Sequence, residues 1–396
     1  MPFDPGWNTL ALLRLTLAEG VGPVLGRRLI ESLATPDRAF EASRAELQAI
    51  TGIGEVKAEQ IARSLRASEA LLEPEVELAE RLGVRIIGLG SPGYPPLLAE
   101  TPDSPLVLYV RGTIPSGRED YALAIVGSRR ATAYGIEQAE RFSAWLSQAG
   151  LVIVSGGAAG IDTASHRGAL RVNGRTVAVL GCGLAHCYPP DNAELFERMV
   201  DGGGAIVSEL PLSTSPGAEN FPARNRIIAG LSLGVLVIEA PRRSGALITA
   251  RQATEEYGRE VMAVPGRIDS PASEGSNHLI RSGGAALVAS PADVLDALES
   301  AARHHFDGTH AARFAPATEP DSSRPATEPA GLKRAPLNAI QQAILECLDR
   351  PRSLEEICGK SGLEAGEVQA QTLLLEVRRL VVRSGGMLER RSAALP

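Results

Sequence analysis

The sequence predicts an α/β chain: a parallel-sheet domain with a helical domain before it and a smaller helix-and-hairpin domain after it. Three observations predict this. Short, β-branched, near-continuously apolar runs recur between about residue 80 and residue 300, alternating with helical stretches. Residues 1–75 carry apolar side chains at helical spacing, such as Leu10, Leu13 and Leu17, then Leu25, Leu29 and Leu33. Helical spacing returns over 336–396, beyond a segment poor in large apolar residues.

The 396 residues exceed one ordinary core and divide into several domains. A net charge of −7 requires any nucleic-acid contact to use local basic patches. Four cysteines (Cys182, Cys187, Cys347, Cys358) are too few for a disulfide framework and point to a reducing compartment. MPFDPGWNTL lacks a cationic start before an apolar run, and no stretch approaches the roughly 18–20 apolar residues of a membrane span. A cytoplasmic protein with no membrane partner is expected.

Within residues 1–75, EGVGPVLGRRLIESL and ITGIGEVKAEQIARSL each set a G-x-G turn before a helix. The pattern resembles the helix-hairpin-helix, a binder of the DNA backbone through exposed N–H groups. A tight turn that serves only packing is the alternative. Across 80–300 the runs VRIIGLG, LAIVGSR, LVIVSGG, TVAVLGCG, GAIVSEL, GVLVIEA and EVMAVPG read as buried parallel strands. Residues 301–335, with PATEP at 316–320 and again at 325–329, read as a solvated linker. In 336–396, two or three helices followed by VVRSGGMLERR suit a winged helix. Lys and Arg outnumber the acids from Lys333 onward, with Arg378, Arg379 and Arg383 clustered near the end; both DNA contact and protein docking fit.

In open parallel sheets ligands sit beyond the carboxyl ends of the strands. Two strand ends lead into loops of small residues: Gly127-Ser128-Arg129, and Gly156-Gly157 with Gly160 before a helix near Asp162. Small residues let a backbone approach an anion, and a helix N-terminus supplies donors. Close strand-to-helix packing is the other reason for such glycines. No Walker loop or dinucleotide fingerprint occurs, so no nucleotide cofactor is expected. Farther on, Phe221 precedes Pro222 in an expected loop and is followed by Arg224, Asn225 and Arg226; Arg243, Ser244 and Gly245 leave the next strand. A ring among guanidinium groups is what single-stranded nucleic acid requires. Alternatively, Arg224 and Arg226 pair with internal acids such as Glu219 or Glu239.

The string VGSR (126–129), SGGAAGID (155–162) with His166, YPPDN (188–192), FPARNRIIAGLS (221–232), SGALITA (244–250), VPG (264–266) and GSNHLIRSGG (275–284) resembles the bacterial DNA-processing protein A (DprA, also Smf) family. The resemblance covers about 120–290. It implies an extended Rossmann-like domain that binds single-stranded DNA and forms a homodimer. It also implies delivery of the strand to the RecA recombinase, past single-strand-binding protein, during natural transformation. By motif, Gly127, Ser128, Arg129, Phe221, Arg224, Asn225 and Arg226 are the leading DNA ligands, with Gly156, Gly157, Gly160, Asp162, Arg243, Ser244 and Gly245 beside them. Many relatives carry an arginine where this chain has Ala159, and a lysine shortly before Phe-Pro where it has Gly217 to Asn220.

Catalytic patterns are weak. Cys182, His186 and Cys187 crowd one loop without the paired spacing of structural zinc, so no metal is expected. Ser155, Asp162 and His166 lack the elbow of a triad; Asp162 is placed to cap a helix and His166 to make a local hydrogen bond. The sheet also resembles nucleoside monophosphate phosphoribohydrolases, the alternative function, but their P-G-G-x-G-T-x-x-E loop is replaced by Val264-Pro265-Gly266-Arg267-Ile268-Asp269. A non-enzymatic protein is expected.

Overall fold

The computed structural model describes residues 8–117, 120–306 and 339–390, apart from 364–367, 369–370, 373–374, 376–379 and 385–386. The chain divides into two compact units, residues 1–306 and 307–396.

The first unit opens with six helices: α1 (Thr9–Leu17), α2 (Pro23–Leu33), α3 (Arg38–Glu41), α4 (Arg44–Gln48), α5 (Glu55–Ala67) and α6 (Glu69–Arg81). Their starts follow from local chemistry. The Asn8 carboxamide accepts from Leu10 N–H, and Ser43 with Glu46 forms a reciprocal capping box on α4. Gly22 and Gly54 stand at the N-caps of α2 and α5, so both G-x-G turns do precede helices. These helices share one core with the sheet that follows: Leu12, Leu29, Ile61 and Leu65 join Leu108, Val154 and Val235.

The sheet has nine strands: β1 (Arg85–Gly88), β2 (Val107–Gly112), β3 (Ala122–Val126), β4 (Val152–Ser155), β5 (Thr176–Val179), β6 (Ala205–Ser208), β7 (Gly234–Val237), β8 (Glu260–Ala263) and β9 (Ala286–Leu287). Their order is β1-β2-β6-β5-β4-β3-β7-β8-β9. Every pairing from β6 to β9 is parallel. The expected all-parallel sheet needs one correction: β2 lies antiparallel to both β1 and β6. Strands β2 and β9 were not expected from the sequence. Helices α7 (Pro96–Ala99), α8 (Ala133–Gln148), α9 (Ile161–Arg171), α10 (Ala193–Asp201), α11 (Asn220–Gly230), α12 (Gly245–Glu255), α13 (Glu274–Arg281) and α14 (Pro291–Phe306) complete the unit. Because α14 reaches Phe306, the first six residues of the expected 301–335 linker are helical, and the rest lie outside the described residues.

In the second unit, α15 (Ala339–Cys347) and α16 (Leu354–Ser361) precede a hairpin of β10 (Val381–Ser384) and β11 (Met387–Arg390). Arg352 bridges to Leu388, adding a third short strand contact. Ile344, Leu345, Ile357, Val368, Leu375, Val381 and Leu388 form its core. This is the helix-and-wing arrangement expected. Arg378 and Arg379 lie outside the described residues, as does the side chain of Arg383.

Candidate nucleic-acid interface

Strand order reverses between β3 and β7: β4, β5 and β6 run out on one side, β8 and β9 on the other. The loops after β3 and β7 therefore flank the topological switch point, where open α/β sheets take ligands.

Much of the glycine chemistry there is used internally. Ser128 N–H donates to Glu239 O at 2.7 Å, and Ser128 O accepts from Ile161 N–H at 3.1 Å. A Cβ on Gly127 would lie 2.8 Å from Glu239 O, and one on Gly160 would overlap Ser128 O. Gly160 also sits at φ +81°, a left-handed region where an L side chain is strained. Buried Glu239 spends both carboxylate oxygens on Thr132, accepting its N–H at 2.8 Å and its hydroxyl at 2.7 Å. The three loops are thus joined backbone to backbone, with Ser128 buried among them.

Asp162 behaves differently from the expected helix cap. The N-cap of α9 is Gly160, and Asp162 Oδ2 accepts from Gly156 N–H at 3.1 Å and Ala158 N–H at 3.4 Å. The Gly156 amide, expected to cradle a phosphate, already holds this carboxylate together with its neighbour Ala158. Burial pushes the Asp162 carboxyl above its ordinary range, against the pull of Arg224 and of those donors. Asn192 pins the same loop, donating to Gly157 O at 2.9 Å and Thr163 Oγ1 at 2.8 Å.

The outward face is cationic and aromatic. Arg129 is exposed, with its guanidinium carbon 4.7 Å from the centroid of the Phe221 ring. Tyr188 meets the same ring at 5.5 Å between centroids, tilted by 39°, and is 40% exposed. Phe221 lies in the first turn of α11 rather than in the expected loop, because Pro222 lacks only an N–H that a first turn leaves unused. Gly181 makes room for the ring: a Cβ there would be 2.9 Å from Phe221 Cδ1. The sequence reading did not single out Tyr188 as a site residue; an aromatic heading Pro-Pro after a strand end was the available signal.

Asn225 Nδ2 donates to Gly245 O at 3.4 Å, tying α11 to the start of α12, where Ser244 Oγ accepts from Ala246 N–H. Arg243 is exposed beside them, and Gly245 is open, with Asn225 Nδ2 3.9 Å from a hypothetical Cβ. Arg226 is not on this face. It is buried, pairs with Glu209 through Nη2, and donates through Nη1 to Asp103 O at 2.7 Å; Tyr257 OH donates to the same aspartate at 2.7 Å. The internal acids are therefore Glu209 and Asp103, not Glu219 or Glu239, and Arg226 fixes α11 from behind.

Ser155 helps to hold the Asp162 charge, but His166 is bonded elsewhere and no relay joins the three. Ser155 Oγ donates to Ile125 O at 2.6 Å, and fully buried His166 places Nδ1 2.7 Å from Thr176 Oγ1. Burial, reinforced by Arg224, drives the His166 pKa down to about 3, so the ring is neutral at physiological pH. His186 turns its Nε2 to Ser213 O at 3.1 Å.

The class that this fold and this face define is a Rossmann-like DNA-binding protein with a hairpin module before the sheet and a winged helix after it. The chain belongs to the DNA recombination-mediator protein A family, DprA or Smf, whose family model matches residues 85–299. A SAM-like helix-hairpin-helix tandem matches 12–67 and a DprA winged-helix domain 325–387. Protein Smf of Synechocystis is 36% identical over 93% of this chain and 95% of its own. DNA processing protein DprA of Bacillus subtilis is 40% identical over 52% of this chain and 68% of its own. An X-ray structure of DNA processing protein A from Streptococcus pneumoniae superimposes with a TM-score of 0.62 at 34% identity, covering 73% of this chain and 97% of that one. Among the described residues, no helix is long and apolar enough to cross a membrane.

Proposed function

We propose that this chain is a non-catalytic recombination mediator that grips single-stranded DNA at the β3–β7 switch point. On this reading it protects the strand, delivers it to RecA past single-strand-binding protein during natural transformation, and acts as a homodimer. The observation that carries the reading is the stack of exposed Arg129 and Tyr188 against the half-buried Phe221 ring: rings on which bases lie, with a guanidinium for the backbone. A base is sequence-tolerant on such a platform, and duplex DNA, with its bases already stacked, cannot use it. Exposed Arg130 and Arg243 add positive charge in the loops after β3 and β7. The internal commitments of Asp162, His166 and Glu239 support a holding role over a chemical one. No observation favours the phosphoribohydrolase alternative: Asp269, in its comparable loop, is exposed and engaged by Arg267 at 2.8 Å.

The test is anisotropy of labelled oligo-dT against duplex of equal length, followed by RecA ATPase on a strand coated with single-strand-binding protein. Preference for the single strand and a shortened RecA lag are expected. Equal affinity for duplex, or an unchanged lag, would refute the corresponding half of the reading.

A further inference from the structure

Charge is divided unevenly about the Phe221–Tyr188 platform. Toward β6, the segment that enters α10 carries exposed Asp191 and Glu194, and exposed Glu219 precedes Phe221. Arg224 and Arg226 are buried. The exposed cations stand on the other side, Arg129 and Arg130 after β3 and Arg243 after β7. Strands β5, β4, β3, β7 and β8 are neighbours in that order and parallel, so their carboxyl ends form one rim. From the end of β5, which leads to Tyr188, to the end of β8 is about 19 Å at the usual strand spacing.

At β8 the rim carries a loop built to present one side chain. Ile268 is fully exposed, more so than any other large apolar side chain among the described residues. A single exposed apolar residue is ordinary, but this one is fastened in place. Ser270 N–H donates to Arg267 O at 3.2 Å, which sets Ile268 and Asp269 at the centre of a turn. Arg267 holds Asp269 across that turn with two hydrogen bonds, at 2.9 and 2.8 Å. At the foot of the loop Gly266 exchanges two hydrogen bonds with the Asn277 carboxamide, both 3.0 Å, and Pro265 O accepts from Tyr134 OH at 2.9 Å. The Arg267–Asp269 pair is neutral as a whole, so the tip neither repels nor grips a phosphate.

We propose that the bound strand leaves the platform toward β8, along the loops after β3 and β7, and that Ile268 enters between two of its bases. Apolar side chains act as wedges between bases in other nucleic-acid complexes, and a tip that is already ordered loses little freedom on binding. This extends the single-strand reading above and rests on it. A contact made to bases alone neutralises no phosphate, so its contribution is independent of salt, unlike that of Arg129.

The test titrates the full chain with labelled oligo-dT over a series of lengths and salt concentrations. Ile268→Ser should leave the shortest strands that bind unaffected and weaken long ones on the order of 10-fold, with salt slope and melting temperature unchanged. Ile268→Phe, which can stack, should keep the long-strand affinity. Unchanged affinity at every length in Ile268→Ser, with Arg129→Ala impaired, would overturn the proposal while sparing the single-strand reading. A loss equal at all lengths would deny a separate contact beyond the platform and overturn it too. A loss that accompanies a shift to smaller species in sedimentation would make Ile268 a contact between copies of the chain, again overturning it. Failure of the wild type to bind oligo-dT would remove both readings.

Discussion

Arg129 is exposed over an aromatic ring, whereas Arg226, five residues after Phe221, is buried between two acids. The same residue type therefore gives opposite expectations. Arg129→Ala should cost about 1–2 kcal/mol of oligo-dT affinity and lower the salt slope, with little change in melting temperature. Phe221→Ala and Tyr188→Ala should each cost roughly 1–3 kcal/mol if bases stack there, read by the same titration. Arg226→Ala should leave Glu209 and Asp103 buried without their cation and cost about 3–5 kcal/mol of stability, seen in denaturant unfolding. Binding per folded molecule should survive it. His166 supplies a pH test. Its folded pKa, about 3, lies below the ordinary 6.5, so its stabilisation is complete above about pH 6.5 and is lost as pH falls toward 3. Replacing it with Asn should flatten acid unfolding in that window by up to about 1.4 kcal/mol per pH unit.

At the scale of elements, the glycines that mark the loops separate by their surroundings. Gly160→Ala forces a side chain into left-handed backbone and against Ser128 O, and should cost more than about 2 kcal/mol in thermal unfolding. Gly245→Ala meets open space at the first position of α12 and should be neutral or gain up to about 1 kcal/mol. Sequence alone treats the two alike. VGSR and SGGAAGID mark strand ends correctly, since a β-branched run ending in glycine is a local signal. Whether their N–H groups face a ligand or an internal carboxylate depends on Asp162 folding back onto Gly156, a contact that spacing does not reveal. For Phe221 the Pro that follows suggested a loop, although a first helical turn accepts Pro equally well. Strand β2, in LVLYVRG, ends in Gly112 like several of the others, but it is antiparallel and feeds no βα turn, so it stood outside the βα alternation that marked the rest.

Across the whole molecule, the parallel-sheet class and its flanking modules were legible because each is written in periodicity and punctuation. The edge of the sheet was less so, because strand direction is set by pairing between distant segments, such as Tyr109 with Ser208. The candidate site was legible as a neighbourhood, and its division into surface and strut was not. Exposure of Arg129 and burial of Arg226 follow from which acids the fold brings near, here Glu209 and Asp103. The central claim is that the strand lies on the Arg129–Phe221–Tyr188 face. The most direct measurement is photo-crosslinking of an iodouracil-substituted single strand to the full chain, with the adducts mapped by mass spectrometry. Adducts on Tyr188 or Phe221, lost in Arg129→Ala at moderate salt, are the predicted result. Adducts confined to other segments, with none on either ring, would contradict it.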